Sequence, residues 1–275
     1  MNYRVIEGSA NDIAEADALR ELIEWPAGGW FILPVLQSGG ALPLIRDERG
    51  ALVAMGLGAR FGRGGFIGNM VVHPERQRQG LGTAVFRHLM DWFASHGTLT
   101  VQLEATPEGQ PLYERFGFQP RWESVTGVCQ LLPDGDGEGE VSPAREDDWP
   151  AIASLAEQAY GEDRDPLLRA LAALPDTIET AVLRRMGNVV AFGIRREGRL
   201  GPMFATDNGA AEDLARTLLR RAGAGTRVPV GNPQHGAFWS ALGVEIEPND
   251  VRMWWGEKPQ DCPGSLYAML NGGIG

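Results

Sequence analysis

At 275 residues, 43% hydrophobic and 22% charged, the chain has the length of about two domains at roughly 150 residues each. A formal net charge of −11 opposes a phosphate backbone and argues against nucleic acid as a partner. No apolar run reaches the ~18 residues of a membrane span, and Met1-Asn2-Tyr3-Arg4-Val5 lacks the basic-then-apolar pattern of a signal peptide. The two cysteines, Cys129 and Cys262, stand far apart outside any Cys-x-x-Cys spacing, which excludes a disulfide framework and a structural zinc site. The expectation is a cytoplasmic protein with no membrane contact and no metal.

In chain order, a short strand at residues 3–6 precedes a helix over 12–24, where Ile13, Ala16, Leu19 and Ile23 recur at helical spacing and Trp25-Pro26 stops the pattern. Residues 41–46 and 51–55 read as a hairpin around Asp47-Glu48-Arg49-Gly50. Gly62-Arg63-Gly64-Gly65 turns the chain into a third strand at 66–72, which ends before His73-Pro74. From Gly80, Leu81, Val85, Leu89 and Phe93 mark one helical turn each up to His96-Gly97, and residues 99–103 follow as a buried strand. The loop after the first helix carries Trp25 and Trp30, residues that by default pack into a core but could line a cleft.

Pro133-Asp134-Gly135-Asp136-Gly137-Glu138-Gly139-Glu140 has nothing to bury and reads as a linker. It separates residues 1–132 from residues 141–275. The second half repeats the first: Asp12 corresponds to Asp148, Leu52-Val53-Ala54-Met55-Gly56 to Val189-Val190-Ala191-Phe192-Gly193, and Gly68-x-Met70 to Gly201-x-Met203. Thr106-Pro107, Tyr113 and Gly117 correspond to Asn232-Pro233, Trp239 and Gly243. Matches in one order at nearly constant spacing are the mark of a duplication.

The chemistry concentrates in Asn69-Met70-Val71-Val72-His73-Pro74-Glu75-Arg76-Gln77-Arg78-Gln79-Gly80-Leu81-Gly82-Thr83, between a strand and a long helix. Gly80 and Gly82 allow close backbone approach, and the first N–H groups of a helix are unpaired and suit an anion such as pyrophosphate. Arg76 and Arg78 add positive charge in an otherwise acidic chain. The run lacks the Gly-Lys-Ser/Thr of a triphosphate loop and the third glycine of a dinucleotide fingerprint.

Gln77-Arg78-Gln79-Gly80-Leu81-Gly82 resembles the pyrophosphate loop of the GNAT superfamily of N-acetyltransferases, Gln/Arg-x-x-Gly-x-Gly/Ala. Leu112-Tyr113-Glu114-Arg115-Phe116-Gly117-Phe118 resembles the same family's Leu-Tyr-x-x-x-Gly-Phe segment, with Thr106 where many members carry Asn. The resemblance implies an α/β (α+β) fold of two tandem GNAT-like domains, each a mixed, mostly antiparallel twisted sheet flanked by helices. It implies acetyl-CoA as co-substrate, with Met70, Val71 and Val72 on the pantetheine arm and Arg78, Gln79, Gly80, Leu81, Gly82 and Thr83 on the pyrophosphate. It also makes Tyr113 the acid that protonates the departing thiolate. A backbone N–H at the oxyanion is worth ~3–4 kcal/mol, and positioned proton transfer about 10²- to 10⁴-fold.

The base that deprotonates the acceptor is less apparent. Many relatives carry a carboxylate on the fourth strand, where this chain reads Ile67-Gly68-Asn69-Met70. Glu104, at the end of the next strand, is the nearest candidate; His73 before a proline reads more simply as a turn residue. In the second half the loop becomes Thr206-Asp207-Asn208-Gly209-Ala210-Ala211-Glu212-Asp213 and the tyrosine becomes Trp239. Carboxylates oppose pyrophosphate and an indole is no proton donor to sulfur, so this half is expected to be a degenerate partner that braces the first and adds acidic character for a cationic amine. The expected activity is acetyl transfer to a primary amine of a small molecule or peptide by direct attack in a ternary complex. The rival reading is a non-catalytic acyl-CoA-binding module; association into a homodimer is left open.

Overall fold

In the computed structural model, which describes residues 3–26, 28–135, 139–174 and 178–275, β1 (Ile6–Glu7) leads through a 3-10 turn into α1 (Ile13–Glu21). A capping box fixes the start of the 3-10 turn (Ala10–Asp12): Asn11 N–H donates to Ser9 Oγ at 3.3 Å and Ser9 N–H donates to Asp12 Oδ2 at 2.8 Å, pairing donors that a helix start leaves open. α2 (Gly29–Gln37) comes next. Trp30 therefore stands on a helix and not in a loop; the run Gly29-Trp30-Phe31-Ile32-Leu33-Pro34-Val35-Leu36 offers no polar face from which periodicity could reveal it. Asp17 Oδ1 accepts from Gly28 N–H at 2.5 Å and Gly29 N–H at 3.1 Å, and Arg20 donates to the Pro26 carbonyl at 2.7 and 2.9 Å, so α1 holds the connection and the start of α2.

β2 (Pro43–Arg46), β3 (Leu52–Phe61) and β4 (Gly64–Val72) pair antiparallel in succession, and α3 (Leu81–Ser95) leads to β5 (Thr100–Ala105), parallel to β4. The order β1-β2-β3-β4-β5 gives the mixed, mostly antiparallel sheet expected. Val85, Phe86, Leu89 and Phe93 of α3 are at most 1% exposed, and each such burial stabilises by ~1.5–3 kcal/mol. Gly65 permits the close approach: a Cβ there would lie 2.3 Å from the Phe93 ring.

The same order recurs after α4 (Gln110–Arg115) and β6 (Gln119–Cys129). β7 (Glu140–Pro143), α5 (Trp149–Tyr160), α6 (Asp165–Ala172), β8 (Ile178–Arg185), β9 (Asn188–Arg196) and β10 (Arg199–Ala205) are followed by α7 (Asn208–Ala222), β11 (Thr226–Gly231), α8 (Gly236–Ala241), β12 (Val244–Gly256) and β13 (Leu266–Ala268). The repeat reaches individual ion pairs: Asp12 binds Arg46 of β2 at 2.6 Å, and Asp148 binds Arg184 of β8 at 2.6 Å.

By packing, the chain divides into one unit that runs to Leu103 and includes Trp255–Glu257 and Ile274, and another of Glu104–Trp254, Lys258–Gly273 and Gly275. These units do not coincide with residues 1–132 and 141–275. β6 makes the difference: in the second unit it lies between β12 and β11, antiparallel to both, with Cys129 opposite Val244 and Thr226. The strands of the second unit, in the order β12-β6-β11-β10-β9-β8-β7, thus include one from before the acidic stretch. Within that stretch residues 136–138 lie outside the described residues.

Candidate functional site

In the first unit β4 pairs with β5 only from Gly64 to Ile67. Its register against β3 then shifts, and Asn69 takes φ of 51°, the left-handed region that asparagine tolerates better than most residues. This is a bulge that turns Met70, Val71 and Val72 away from the parallel ladder. Asn69 is buried at 3% exposure, and neither atom of its side-chain amide has a hydrogen-bond partner among the described residues. A buried amide left so costs about 1–3 kcal/mol unless a water or a ligand meets it.

After a 3-10 turn at Pro74–Arg76, where His73 Nδ1 accepts from Glu75 N–H at 3.3 Å, the chain reaches Arg78 and Gly80 with φ of 59° and 87°. His73 is thus a turn residue. α3 begins at Leu81 with no side-chain cap, so the N–H groups of Leu81, Gly82 and Thr83 keep the free donors and positive dipole end that bind anions. A Cβ on Gly80 would meet nothing within 4 Å and one on Gly82 only Val72 Cγ2 at 3.5 Å. Gln77, Arg78, Gln79 and Gly80 are exposed, with Tyr3 donating to the Gln79 carbonyl at 2.9 Å. A space with backbone donors on its floor fits a pyrophosphate.

The equivalent features of the second unit are closed. Asp207 caps α7, accepting from Ala210 N–H at 2.9 Å, and pairs with Arg185 at 3.3 Å. The fork beside β10 is filled by the chain itself: β13 pairs with β10, Met203 opposite Ala268, and Met269 N–H donates to the Pro229 carbonyl of β11 at 2.8 Å. A groove of about 790 Å³ beside α7 is lined by Asp134, Glu212 and Asp213, with Arg185 and Arg216, and Trp239 is fully buried, its indole donating to the Tyr267 carbonyl at 2.7 Å. Asp207→Ala is expected to lower stability by about 1 kcal/mol in urea unfolding, the worth of an N-cap, without creating a site for acetyl-CoA, because the β13 plug remains.

The other residues singled out from sequence lie in the second unit. Thr106 Oγ1 accepts from Gly109 N–H at 3.2 Å, and a Cβ on Gly109 would sit 3.1 Å from the Tyr113 ring and 3.5 Å from that oxygen, so Thr106 and Tyr113 converge at the start of α4. Tyr113 is 7% exposed. Burial, and then the negative charge of Asp250, push its hydroxyl well above the ordinary range, so it holds its proton at any working pH. Glu104 carries a bond on each oxygen, Oε1 from Arg252 Nε at 2.6 Å and Oε2 from Ser124 Oγ at 2.6 Å, in a pair whose side chains are 1% and 5% exposed. Both oxygens are engaged, which suits a structural ion pair better than a proton acceptor.

Asp250 is a carboxylate that sequence reading passed over. β12 loses register against β6 between Pro248 and Val251, and that bulge takes Asn249 and Asp250 off the ladder. Burial, then the charges of Glu104 and Glu108, push the Asp250 carboxyl up to about 6. The available signal was the polar Pro248-Asn249-Asp250 interrupting a strand that otherwise reads from Val251. Among the described residues no group of three or more His, Cys, Asp or Glu is placed to hold a metal, and no helix is long and apolar enough to cross a membrane.

Residues 9–118 match the family model described as Acetyltransferase (GNAT) family, and residues 152–268 match that described as Acetyltransferase (GNAT) domain. The chain is 24% identical over 261 residues to an uncharacterized N-acetyltransferase, YitH, of Bacillus subtilis, covering 91% of each protein. A crystal structure of a proposed acetyltransferase from Pyrococcus horikoshii is similar at a TM-score of 0.84 and 21% identity, over 99% of this chain and 95% of that one. A tandem GNAT protein from the clavulanic acid biosynthesis pathway is similar at a TM-score of 0.64 and 16% identity, over 94% of this chain and 100% of that one.

Proposed function

The chain is a tandem member of the GNAT acetyltransferases, and from that premise we propose that it transfers acetyl from acetyl-CoA to a primary amine of a small molecule or peptide, in a ternary complex, in the cytoplasm. The observation that carries this reading is the contrast between an α3 start that is uncapped and open and an α7 start that is capped by Asp207. One half of the duplication keeps a pyrophosphate cradle and the other has replaced the anion with its own carboxylate. In this reading the backbone of Met70, Val71 and Val72 takes the pantetheine arm. The N–H groups from Arg78 to Thr83 take the pyrophosphate, Gln77 shapes their loop, and Thr106 supports the helix that presents Tyr113. Tyr113 gives its proton to the leaving thiolate.

Calorimetric titration tests the reading. Wild-type protein is expected to bind one acetyl-CoA per chain, and Gly82→Asp to bind none, since its carboxylate would occupy the first turn of α3 with only an ordinary contact to Val72. Two sites per chain would overturn the account of the second half. Binding without acetylation of any amine would favour the acyl-CoA-binding module, and no binding would overturn the acetyltransferase reading.

A further inference from the structure

The acetyltransferase reading leaves open which group takes the proton of the acceptor ammonium, and on that reading we infer that Asp250, contributed by β12 of the duplicated half, is that general base. Four observations converge on it. The carboxylate is half-buried, and no cation pairs with it among the described residues; its one hydrogen bond comes from Asn249 Nδ2 at 3.2 Å. The β12 bulge removes it from the strand ladder, the device by which a sheet re-aims a side chain. It is electrostatically coupled to Tyr113, the proton donor. Finally, a Cβ built on Gly272 would be in ordinary contact, at 3.9 Å, with both Asp250 Oδ2 and the Glu104 side chain, so Asp250 and Glu104 flank one small neighbour.

The competing groups are accounted for. Glu104 of β5 is committed to Arg252 and Ser124. Glu108, between β5 and α4, is exposed and open to solvent. Tyr113 of α4 stays protonated, and Arg252, on the same strand as Asp250, is held by Glu104. The carboxyls of Glu104 and Glu108 raise the proton affinity of Asp250, and a cationic amine arriving among them relieves that repulsion.

The protons balance. Asp250 takes one proton from the acceptor ammonium, freeing the lone pair that attacks the acetyl carbonyl. As the C–N bond forms and the C–S bond breaks, the thiolate takes the Tyr113 proton, and the second proton leaving nitrogen restores the phenol. Ammonium and thioester become amide, thiol and one proton, which Asp250 releases to solvent.

Because the base must be ionised, kcat/KM is expected to rise with pH through a step near the Asp250 value of about 6, below any step from the amine itself, at roughly 10 for an alkyl amine and roughly 8 for the α-amino group of glycinamide. The test follows thiol release from acetyl-CoA with butylamine, 1,4-diaminobutane and glycinamide as acceptors, across pH 5–9. Asp250→Asn is expected to lower kcat/KM on the order of 10²-fold or more and to erase the lower step. It should leave the acetyl-CoA affinity unchanged and should not lower the urea midpoint, since removing a buried charge repelled by Glu104 and Glu108 costs no stability, while Asp250→Glu keeps the step. Wild-type turnover with an undiminished rate and an intact step in Asp250→Asn would overturn the assignment and leave the acetyltransferase reading standing. A wild-type protein that acetylates none of the three amines would overturn that reading, and the assignment with it.

Discussion

Tyr113→Phe is expected to lower kcat by about 10²- to 10⁴-fold while leaving the dissociation constant of acetyl-CoA within a factor of two, the range typical of positioned proton transfer. The ring is 7% exposed on α4, with Phe118 at 6.3 Å between centroids, and phenylalanine fills the same volume. Only the hydroxyl is lost, so on the proposed role of Tyr113 its effect is expected on the step in which sulfur departs and not on folding or on the grip of the α3 start. A thiolate that departs without a proton carries an uncompensated charge, costly wherever water is scarce, and the Tyr113 hydroxyl is itself buried, which is why a large kinetic loss is expected from so small a change. Stopped-flow thiol detection beside calorimetry separates the two quantities. Equal rates for the two proteins would remove Tyr113 from the acid role and direct attention to a water-borne proton.

How much of this could be read from residues alone depended on the range of the contacts involved. The helix at Leu81, its glycine loop and the strand before it are local in sequence, and their periodicity, turn residues and charge all point one way. The acidic start of the second long helix was legible for the same reason: the carboxylate of Asp207 caps its own helix in the structure. α2 was not legible, because an apolar run carries no period. Nor was the place of β6, since a strand pattern does not name its neighbours, and here those neighbours are β11 and β12. Glu104 shows the same limit from the other side: its position was found, but its partner Arg252 lies 148 residues away, so an apparently unengaged strand-end carboxylate is in fact tied on both oxygens. Asp250 was hidden by the same distance, since only the fold sets it beside Glu104 and Glu108.

The Glu104 and Arg252 pair carries the largest expected effect on stability. With side chains 1% and 5% exposed and an Nε to Oε1 distance of 2.6 Å, the two charges are out of water, and their separate desolvation is offset only while they face each other. Glu104→Ala takes the carboxylate from a buried guanidinium and the acceptor from Ser124 Oγ, and is expected to cost about 3–5 kcal/mol in urea unfolding. Glu104→Gln keeps an oxygen for Arg252 and should cost less. The double variant Glu104→Leu with Arg252→Met removes both charges and should recover much of the loss, because an apolar pair of similar volume needs no compensation for desolvation. A non-additive cycle of this kind separates a structural pair from a proton acceptor. Were Glu104 the base, Glu104→Gln would abolish the rate at nearly unchanged stability, whereas a structural pair loses stability first and leaves the pH step to Asp250.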